Sequence, residues 1–229
     1  MKFFGYLFFG FMFVFLAACS SQEVDRLLDE NNRLQREARD MRQQLEQNRE
    51  PAQRLDRLAS FLNGIKARIE TNHGDIEVEF YPDKAPIHVY SFITRAESGF
   101  YNGTQFHRVI PGFMIQGGDP NSKDGDKLNN GQGGPINSIP HEFNDIEHVR
   151  GILSMARVGD VEAGAGSQFF IMHDRAAHLD NQYTAFGRVT SGLDVVDSIA
   201  TTETYGRQNQ RLSNHPVEPA VIERIVVFR

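Results

Sequence analysis

The sequence predicts a mainly β fold, a closed antiparallel barrel with two helices, carried behind an N-terminal helical stalk. Three observations point there. Short runs that alternate apolar and polar residues, each bounded by glycine or polar clusters, fill the C-terminal part of the chain. Only two stretches of that part place apolar residues at helical spacing. Upstream, residues 21–63 carry a seven-residue apolar repeat. Many short antiparallel strands with few helices favour closure, because a closed sheet leaves no edge exposed.

The first element is MKFFGYLFFGFMFVFLAAC, residues 1–19. Lys2 supplies a short positive start, and Phe3 to Phe15 is almost wholly apolar. A membrane-spanning helix needs ~20 apolar residues, so this shorter run suits a secretory signal covering 1–18. Its ending, Leu16-Ala17-Ala18-Cys19, resembles the lipobox of bacterial lipoproteins. That resemblance implies lipidation of Cys19 as the mature N-terminus, with an uncleaved signal anchor as the rival. It also implies a bacterial cell envelope location, and Ser20 after the cysteine implies an outer membrane facing the periplasm. Cys19 is the sole cysteine among 229 residues, so no intramolecular disulfide can form.

The stalk spans 19–64. With Val24 at a, the a positions are Val24, Asn31, Ala38, Leu45, Ala52 and Ala59. The d positions are Leu27, Leu34, Met41, Asn48, Leu55 and Leu62. An apolar d seam argues for a coiled coil, and Glu37 could pair with Arg42 of a parallel neighbour. Asp29 and Arg33 are spaced to support a single helix. The a seam is weak, so a lone charged helix and a dimer or trimer both stay open. Pro51 lacks an N–H and is expected to kink or restart the helix. The 28 residues from Glu23 to Glu50 would span ~42 Å at ~1.5 Å each. Asn63-Gly64 reads as a helix stop.

Residues 65–229 are the globular domain. Ala67, Ile69 and Thr71, then Ile76, Val78 and Phe80, alternate with charged residues across Asn72-His73-Gly74-Asp75, which reads as a hairpin. Pro86 to Ser98 carries Val89, Phe92, Ile93 and Ala96 at helical spacing and is closed by Gly99. Apolar runs at Gly151–Ala156, Gln168–Met172 and Thr184–Val189 follow. Leu193 to Ala200 reads as a second helix and Val221 to Phe228 as a last strand. Formal net charge is −6, and residues 66–229 hold 15 Lys+Arg against 21 Asp+Glu, so the excess lies in this domain. An acidic domain without a basic stripe is a poor nucleic-acid binder.

Ordinary catalytic equipment is missing from the pattern. Ser167 stands in Gly164-Ala165-Gly166-Ser167-Gln168, where Gln168 breaks the G-x-S-x-G elbow. His173 and His178 are five apart, the wrong spacing for a zinc pair on one helix face. Asp119 to Asp126 fails the EF-hand pattern, because Lys123 and Asp124 stand where a ligand and a glycine are needed. No glycine-rich loop ends in Lys-Ser or Lys-Thr. What stands out is FHRVIPGFMIQGGDP, Phe106 to Pro120. Arg108 sits there among Phe106, Val109, Ile110, Phe113, Met114 and Ile115. A guanidinium cannot shed its proton, so placing it among apolar side chains is costly unless it is hydrogen-bonded.

FHRVIPGFMIQGGDP, with GILSMA at Gly151–Ala156 and GSQFFI at Gly166–Ile171, is similar to the cyclophilin family of peptidyl-prolyl cis–trans isomerases. The likeness also takes in DIEVEFYPDKAPIHVYSFITRAESGFYN from Asp75, LDNQYTAFGRV and GLDVVDSI, nearly all of 66–229. It implies an eight-stranded barrel capped by two helices, and rotation about Xaa-Pro bonds with no cofactor, metal or covalent intermediate. It makes Arg108 the catalytic donor and Gln116 its peptide-anchoring companion. It implies a proline-side pocket of Phe113, Met114, Phe170 and Leu179, with Ala156, Arg157 and Gln168 holding the peptide. His178 stands where many members have Trp, which argues against tight cyclosporin binding. Tyr183 replaces a His at the pocket rim, and Arg157 replaces an Asn. Asn121 to Pro135 is longer than usual. The implied partners are proline-containing peptides and unfolded exported proteins. Cyclophilin-like domains without the arginine read as non-catalytic proline-peptide-binding modules, and that is the alternative here.

Overall fold

The computed structural model describes residues 5–134 and 138–229; for residues 5–22, Val24, Leu45, Glu46 and Asn48 the description stops at the backbone. Lipidation of Cys19 and the seam residues Val24, Leu45 and Asn48 therefore fall outside the described side chains. The chain divides into two compact units, Met1–Arg54 and Leu55–Arg229.

Helix α1 runs Gly5–Leu62. It contains Pro51 without restarting there, so one missing backbone donor does not end the helix. Along the stalk the d-seam residues Leu27, Leu34 and Met41 face solvent, 57%, 52% and 63% exposed. Arg33 pairs within the helix with Glu37, at 3.5 Å, rather than with Asp29. Among the described residues no helix is long and apolar enough to cross a membrane.

In the second unit the end of α1 is part of the folded domain. Leu62 is buried in the main core with Leu58 and Ile65 packed beside it, and Arg229 donates to the Phe61 carbonyl at 2.8 Å. Gly64 stops the helix with a φ of +76°, a left-handed value that a Cβ would disfavour.

Strands β1 (Lys66–Thr71) and β2 (Gly74–Phe80) form the expected hairpin, with Ile69 opposite Ile76 and Thr71 opposite Gly74. Thr71 tightens its turn by donating to the Gly74 carbonyl and accepting from the His73 N–H. Helix α2 (Pro86–Glu97) starts with a proline whose missing N–H is an orphan there anyway. The next two N–H groups, of Ile87 and His88, donate to the Glu142 carboxylate at 3.1 and 2.9 Å. That charge satisfies orphan donors at the positive end of the helix.

The remaining strands are β3 (Arg108–Ile110), β4 (Met114–Gly117), β5 (Ile152–Arg157), β6 (Ala165–Met172), β7 (Ala185–Ser191) and β8 (Ile222–Phe228), with α3 (Leu193–Ala200) before the last. Alternation did not mark β3 and β4 as strands. Both are short and one face is occupied by Arg108 and Gln116, so they do not read as a polar–apolar repeat. All eight strands form one antiparallel sheet in the order β3-β4-β6-β5-β7-β2-β1-β8.

The expected closure is met only in part. Edge strands β3 and β8 do not pair as a ladder. The segments leading into them meet instead at a single bridge, Gln105 to Val221, flanked by Phe106 N–H to Ala220 O at 2.9 Å and Ile222 N–H to Thr104 O at 2.8 Å. The reason is local: β3 has three residues, and Val109 already donates to the Asn214 carbonyl of the preceding loop. That loop covers the edge a ladder would have covered.

Two cores use the two faces of this curled sheet. The main one centres on Phe92 of α2, with Phe80, Tyr101, Phe169 and Phe186 rings 5.1 to 5.6 Å away. The second holds Met114, Ile152, Phe170, Met172, Ala176, Leu179 and Ala185, with Phe113 and Tyr183 packed on it. Since Leu62 is 1% exposed in the main core, Leu62→Ala should lower the domain's stability by about 2–4 kcal/mol. Leu27→Ala on the stalk should change it by less than about 0.5 kcal/mol. Urea unfolding of the two variants checks both; equal effects would mean that the last turn of α1 is not part of the domain.

Candidate functional site

Strand register builds the site. Arg108 on β3 lies directly opposite Gln116 on β4, and Gln116 lies opposite Phe170 on β6. Directly opposed residues share a face, and so do residues two apart on one strand. Arg108, Gln116, Met114, Phe170 and Gln168 are thereby placed together on the face of the second core.

The Pro111-Gly112-Phe113 turn joins β3 to β4. His173 holds it, its Nδ1 accepting from the Gly112 N–H at 2.8 Å, while its Nε2 faces Asp197 at 3.3 Å. Between Met155 and Arg157 the β5–β6 ladder shifts register, so Ala156 has no directly opposed residue on β6. An interruption of this kind bares backbone polar groups beside a site.

The product is a cleft of about 100 Å³ lined by Arg108, Phe113, Met114, Gln116, Ala156, Arg157, Phe170, Leu179 and Tyr183. Met114, Phe170 and Leu179 are its buried floor, 1%, 5% and 6% exposed. Tyr183 stands edge-on to Phe170, ring centroids 5.6 Å apart. The Arg157 guanidinium stacks on Tyr183 at 4.7 Å and donates to the Gln182 carbonyl at 3.0 Å, so it braces the rim rather than pointing into the cleft.

Arg108 is half-buried, and burial pulls its guanidinium down from the ordinary value. It donates from Nη1 to Gln116 Oε1 at 3.1 Å. Among the described residues no carboxylate lies within ion-pair distance of it, and burial, not a charged neighbour, is the main influence on it. Gln116 in turn donates to Gln168 Oε1 at 2.9 Å, and Gln168 donates to the Gly133 carbonyl at 2.8 Å. Gln168 thus stands behind Gln116, at the start of a wider groove of about 640 Å³ that also touches Ala156 and Arg157. His178 does not line the cleft. It is exposed, and it stacks on the outer side of Phe113 at 5.7 Å.

The other candidate chemistries fail on geometry. Ser167 is fully buried and donates to the Gly118 carbonyl. Ser154, His148 and Asp180 line up like a nucleophilic triad, with His148 Nε2 3.0 Å from Ser154 Oγ and Nδ1 3.2 Å from Asp180. Ser154 is 0% exposed, however, and its hydroxyl bonds the Thr184 carbonyl, so no substrate reaches it. His148 instead stacks beneath Phe170 at 6.1 Å and supports the pocket floor. Among the described residues no group of three or more His, Cys, Asp or Glu could hold a metal. A groove of about 630 Å³ over Tyr81, Ile152 and Arg188 has its charged rim residues in ion pairs: Lys84–Asp145, Arg150–Asp197 and Arg188–Glu79.

The comparisons with known proteins agree with this geometry. The family model described as cyclophilin type peptidyl-prolyl cis-trans isomerase/CLD matches residues 66–227. The chain belongs to the cyclophilin family. A peptidyl-prolyl cis-trans isomerase of Synechococcus elongatus is 44% identical over 136 residues, 58% of this chain and 88% of the relative. One from Acinetobacter baylyi is 41% identical over 168 residues, 70% of this chain and 85% of the relative. A Cryptosporidium parvum cyclophilin type isomerase, solved in the presence of the dipeptide Ala-Pro, superposes with a TM-score of 0.63 at 31% identity, over 72% of this chain and 99% of that one. This cyclophilin is a peptidyl-prolyl cis–trans isomerase.

Residue patterns gave no warning of two buried groups around the cleft. Asp119, fully buried, gathers backbone N–H groups of the following loop. His107, 5% exposed with neither ring nitrogen hydrogen-bonded within the protein, has its pKa pushed down to about 4 by burial. Burial also pushes His148 and His215 down.

These shifts set a pH window. Between the ordinary histidine value of 6.5 and about 4, the unfolded chain takes up a proton that folded His107 refuses. The unfolded state then binds more protons, so stability is full above 6.5 and is lost as pH falls through that range. The loss from His107 alone should be ~3 kcal/mol, since one pKa unit is ~1.4 kcal/mol. Urea unfolding from pH 7 to pH 4 should show it, and His107→Gln should flatten the slope. An unchanged slope in that variant would refute the assignment.

Proposed function

We propose that Arg108 catalyses the rotation by hydrogen-bonding the prolyl nitrogen when the peptide bond is half-turned. The observation that carries this reading is a half-buried guanidinium, bonded to one neutral amide, that opens onto a cleft floored by Met114, Phe170 and Leu179.

The planar Xaa-Pro bond is held by delocalisation of the nitrogen lone pair, with a barrier of ~18–20 kcal/mol. A turnover near ~10³ s⁻¹ corresponds to ~13 kcal/mol, so ~5–7 kcal/mol must be supplied. In the twisted state the nitrogen is pyramidal and its lone pair can accept. A preorganised charged donor contributes ~3–4 kcal/mol by analogy with an oxyanion hole. Phe113, Met114, Phe170 and Leu179 supply the rest by gripping the ring while the preceding carbonyl swings, and by disfavouring the more polar planar amide. Gln116 and the backbone around Ala156 and Arg157, where the β5–β6 register shifts, hold the peptide. No proton moves and no covalent bond forms. The Ala-Pro dipeptide used with the Cryptosporidium relative has the chemistry that this cleft would take.

Arg108→Ala should lower kcat/KM for a Xaa-Pro peptide by about 10²–10³-fold while leaving the fold intact. NMR exchange spectroscopy on residues 55–229 reads it directly. A loss of only a few-fold would remove Arg108 from the centre of the mechanism.

The chain's setting follows from its N-terminal part. Cys19 would carry the lipid and hold the protein on the outer membrane of a bacterial envelope, facing the periplasm, with the stalk as spacer. The isomerase would then act on exported chains as they fold. More than half of each of Leu27, Leu34 and Met41 is exposed on a helix otherwise rich in charge, which favours association with a second copy. Sedimentation of residues 20–229 should give an oligomer, while 55–229 and a variant with Leu27, Leu34 and Met41 all changed to Glu should be monomers. Three monomers would leave the stalk a spacer alone.

A further inference from the structure

The hydrogen bonds behind Arg108 run in one direction and end on a loop. A guanidinium only donates, so Gln116 must turn its oxygen toward Arg108 and its NH₂ toward Gln168. Gln168 must then offer its oxygen to Gln116 and its NH₂ to the Gly133 carbonyl, which only accepts. Neither amide can flip without setting donor against donor or acceptor against acceptor. Such a chain of aligned amides polarises along its length, and each bond strengthens the next.

The far end is fixed as firmly as the near one. The Asp119 carboxylate, fully buried, accepts from the N–H groups of Asn121 (2.8 Å), Gly131 and Gly133 (3.4 Å). It closes residues 119–133 into a ring around one charge. Gly133 is thus held at both its N–H and its C=O. A Cβ at Gly133 would run into the Asp119 carboxylate and the Asn121 amide, so the close approach requires glycine. Further out, Lys127 bonds the Tyr205 hydroxyl at 2.8 Å and Asn130 bonds His215 at 3.0 Å, tying the loop to the 205–217 segment.

We infer that this loop is a positioning element for the reaction: Asp119 and Gly133, through Gln168 and Gln116, hold the Arg108 guanidinium in the orientation it uses on the twisted peptide bond. The inference rests on the reading of Arg108 as the catalytic donor. A long side chain tethered to a single amide otherwise samples several rotamers, and orientation that persists into the transition state acts on turnover. Asp119 and Gly133 are positioning residues, since neither lines the cleft that holds Arg108.

The test separates positioning from damage. Gly133→Ala breaks the hub, and Gln168→Glu keeps an acceptor for Gln116 while losing the donor to Gly133. Each should lower kcat about fivefold, the worth of one hydrogen bond, with KM within about twofold. In an Arg108→Ala background the same changes should cost nothing further, because the group they orient is gone. Slow hydrogen exchange of the Gln168 side-chain amide in the unaltered protein is the companion measurement, and it needs no variant to fold. Unchanged kcat in a folded Gly133→Ala or Gln168→Glu protein, an equal loss with and without Arg108, or a Gln168 amide exchanging at solvent rate each overturns the proposal. Full activity in Arg108→Ala alone would instead sink the catalytic reading on which it stands.

Discussion

Arg108 carries a charge half out of water with an amide oxygen, not a carboxylate, as its partner. Taking a guanidinium partly out of water costs several kcal/mol when no counter-ion repays it. A carboxylate beside it would lower that cost, but it would also engage its donors and offset its positive field. Gln116 avoids both effects. It satisfies one N–H, leaves the positive charge undiminished and fixes the plane of the group. The free energy that holds so uncomfortable an arrangement must come from elsewhere in the fold.

It comes from a sheet that is buried on both sides beneath the site. On β6 every residue but Gly166 is buried, so neighbouring residues serve the main core and the second core in turn. Phe169 packs against Phe92 in the main core, while Phe170 floors the cleft. A shift of one residue in register would exchange those roles, turning Phe170 into the main core and Phe169 toward the cleft. The register that buries the core therefore also aligns Arg108, Gln116 and Phe170. His173, His148 and Arg157 add local support at the turn, floor and rim.

Much of this was legible in the residues. The β1–β2 hairpin and both helices of the domain follow from alternation and helical spacing because each has one buried and one wet face, whereas the last strand forms although its burial does not alternate. Arg108 stood out because its charge contradicts its neighbours. The hairpin of β3 and β4 was hidden for the same reason: a strand whose outer face holds the polar Arg108 and Gln116 lacks the usual pattern. Of the kink or restart expected at Pro51, the restart does not occur, because a proline's local cost does not by itself end a long helix. Spacing also could not reveal that His178 would lie outside the cleft, or that Gln168 would reach it only through Gln116. Those facts depend on register across strands far apart in sequence, which no local pattern encodes.

The same distance explains why a loop can take part in a reaction it does not touch. Bond rotation needs no proton carrier and no electrophile, only a donor whose position persists while the substrate turns. Rigid strands fix the Arg108 backbone but not the tip of its long side chain. Something must reach that tip from outside the ladder, and a neutral amide does so without altering the charge. The amide must itself be oriented, so the demand passes outward until it meets a backbone carbonyl that cannot rotate. Gly133, pinned by a buried carboxylate, is such a carbonyl.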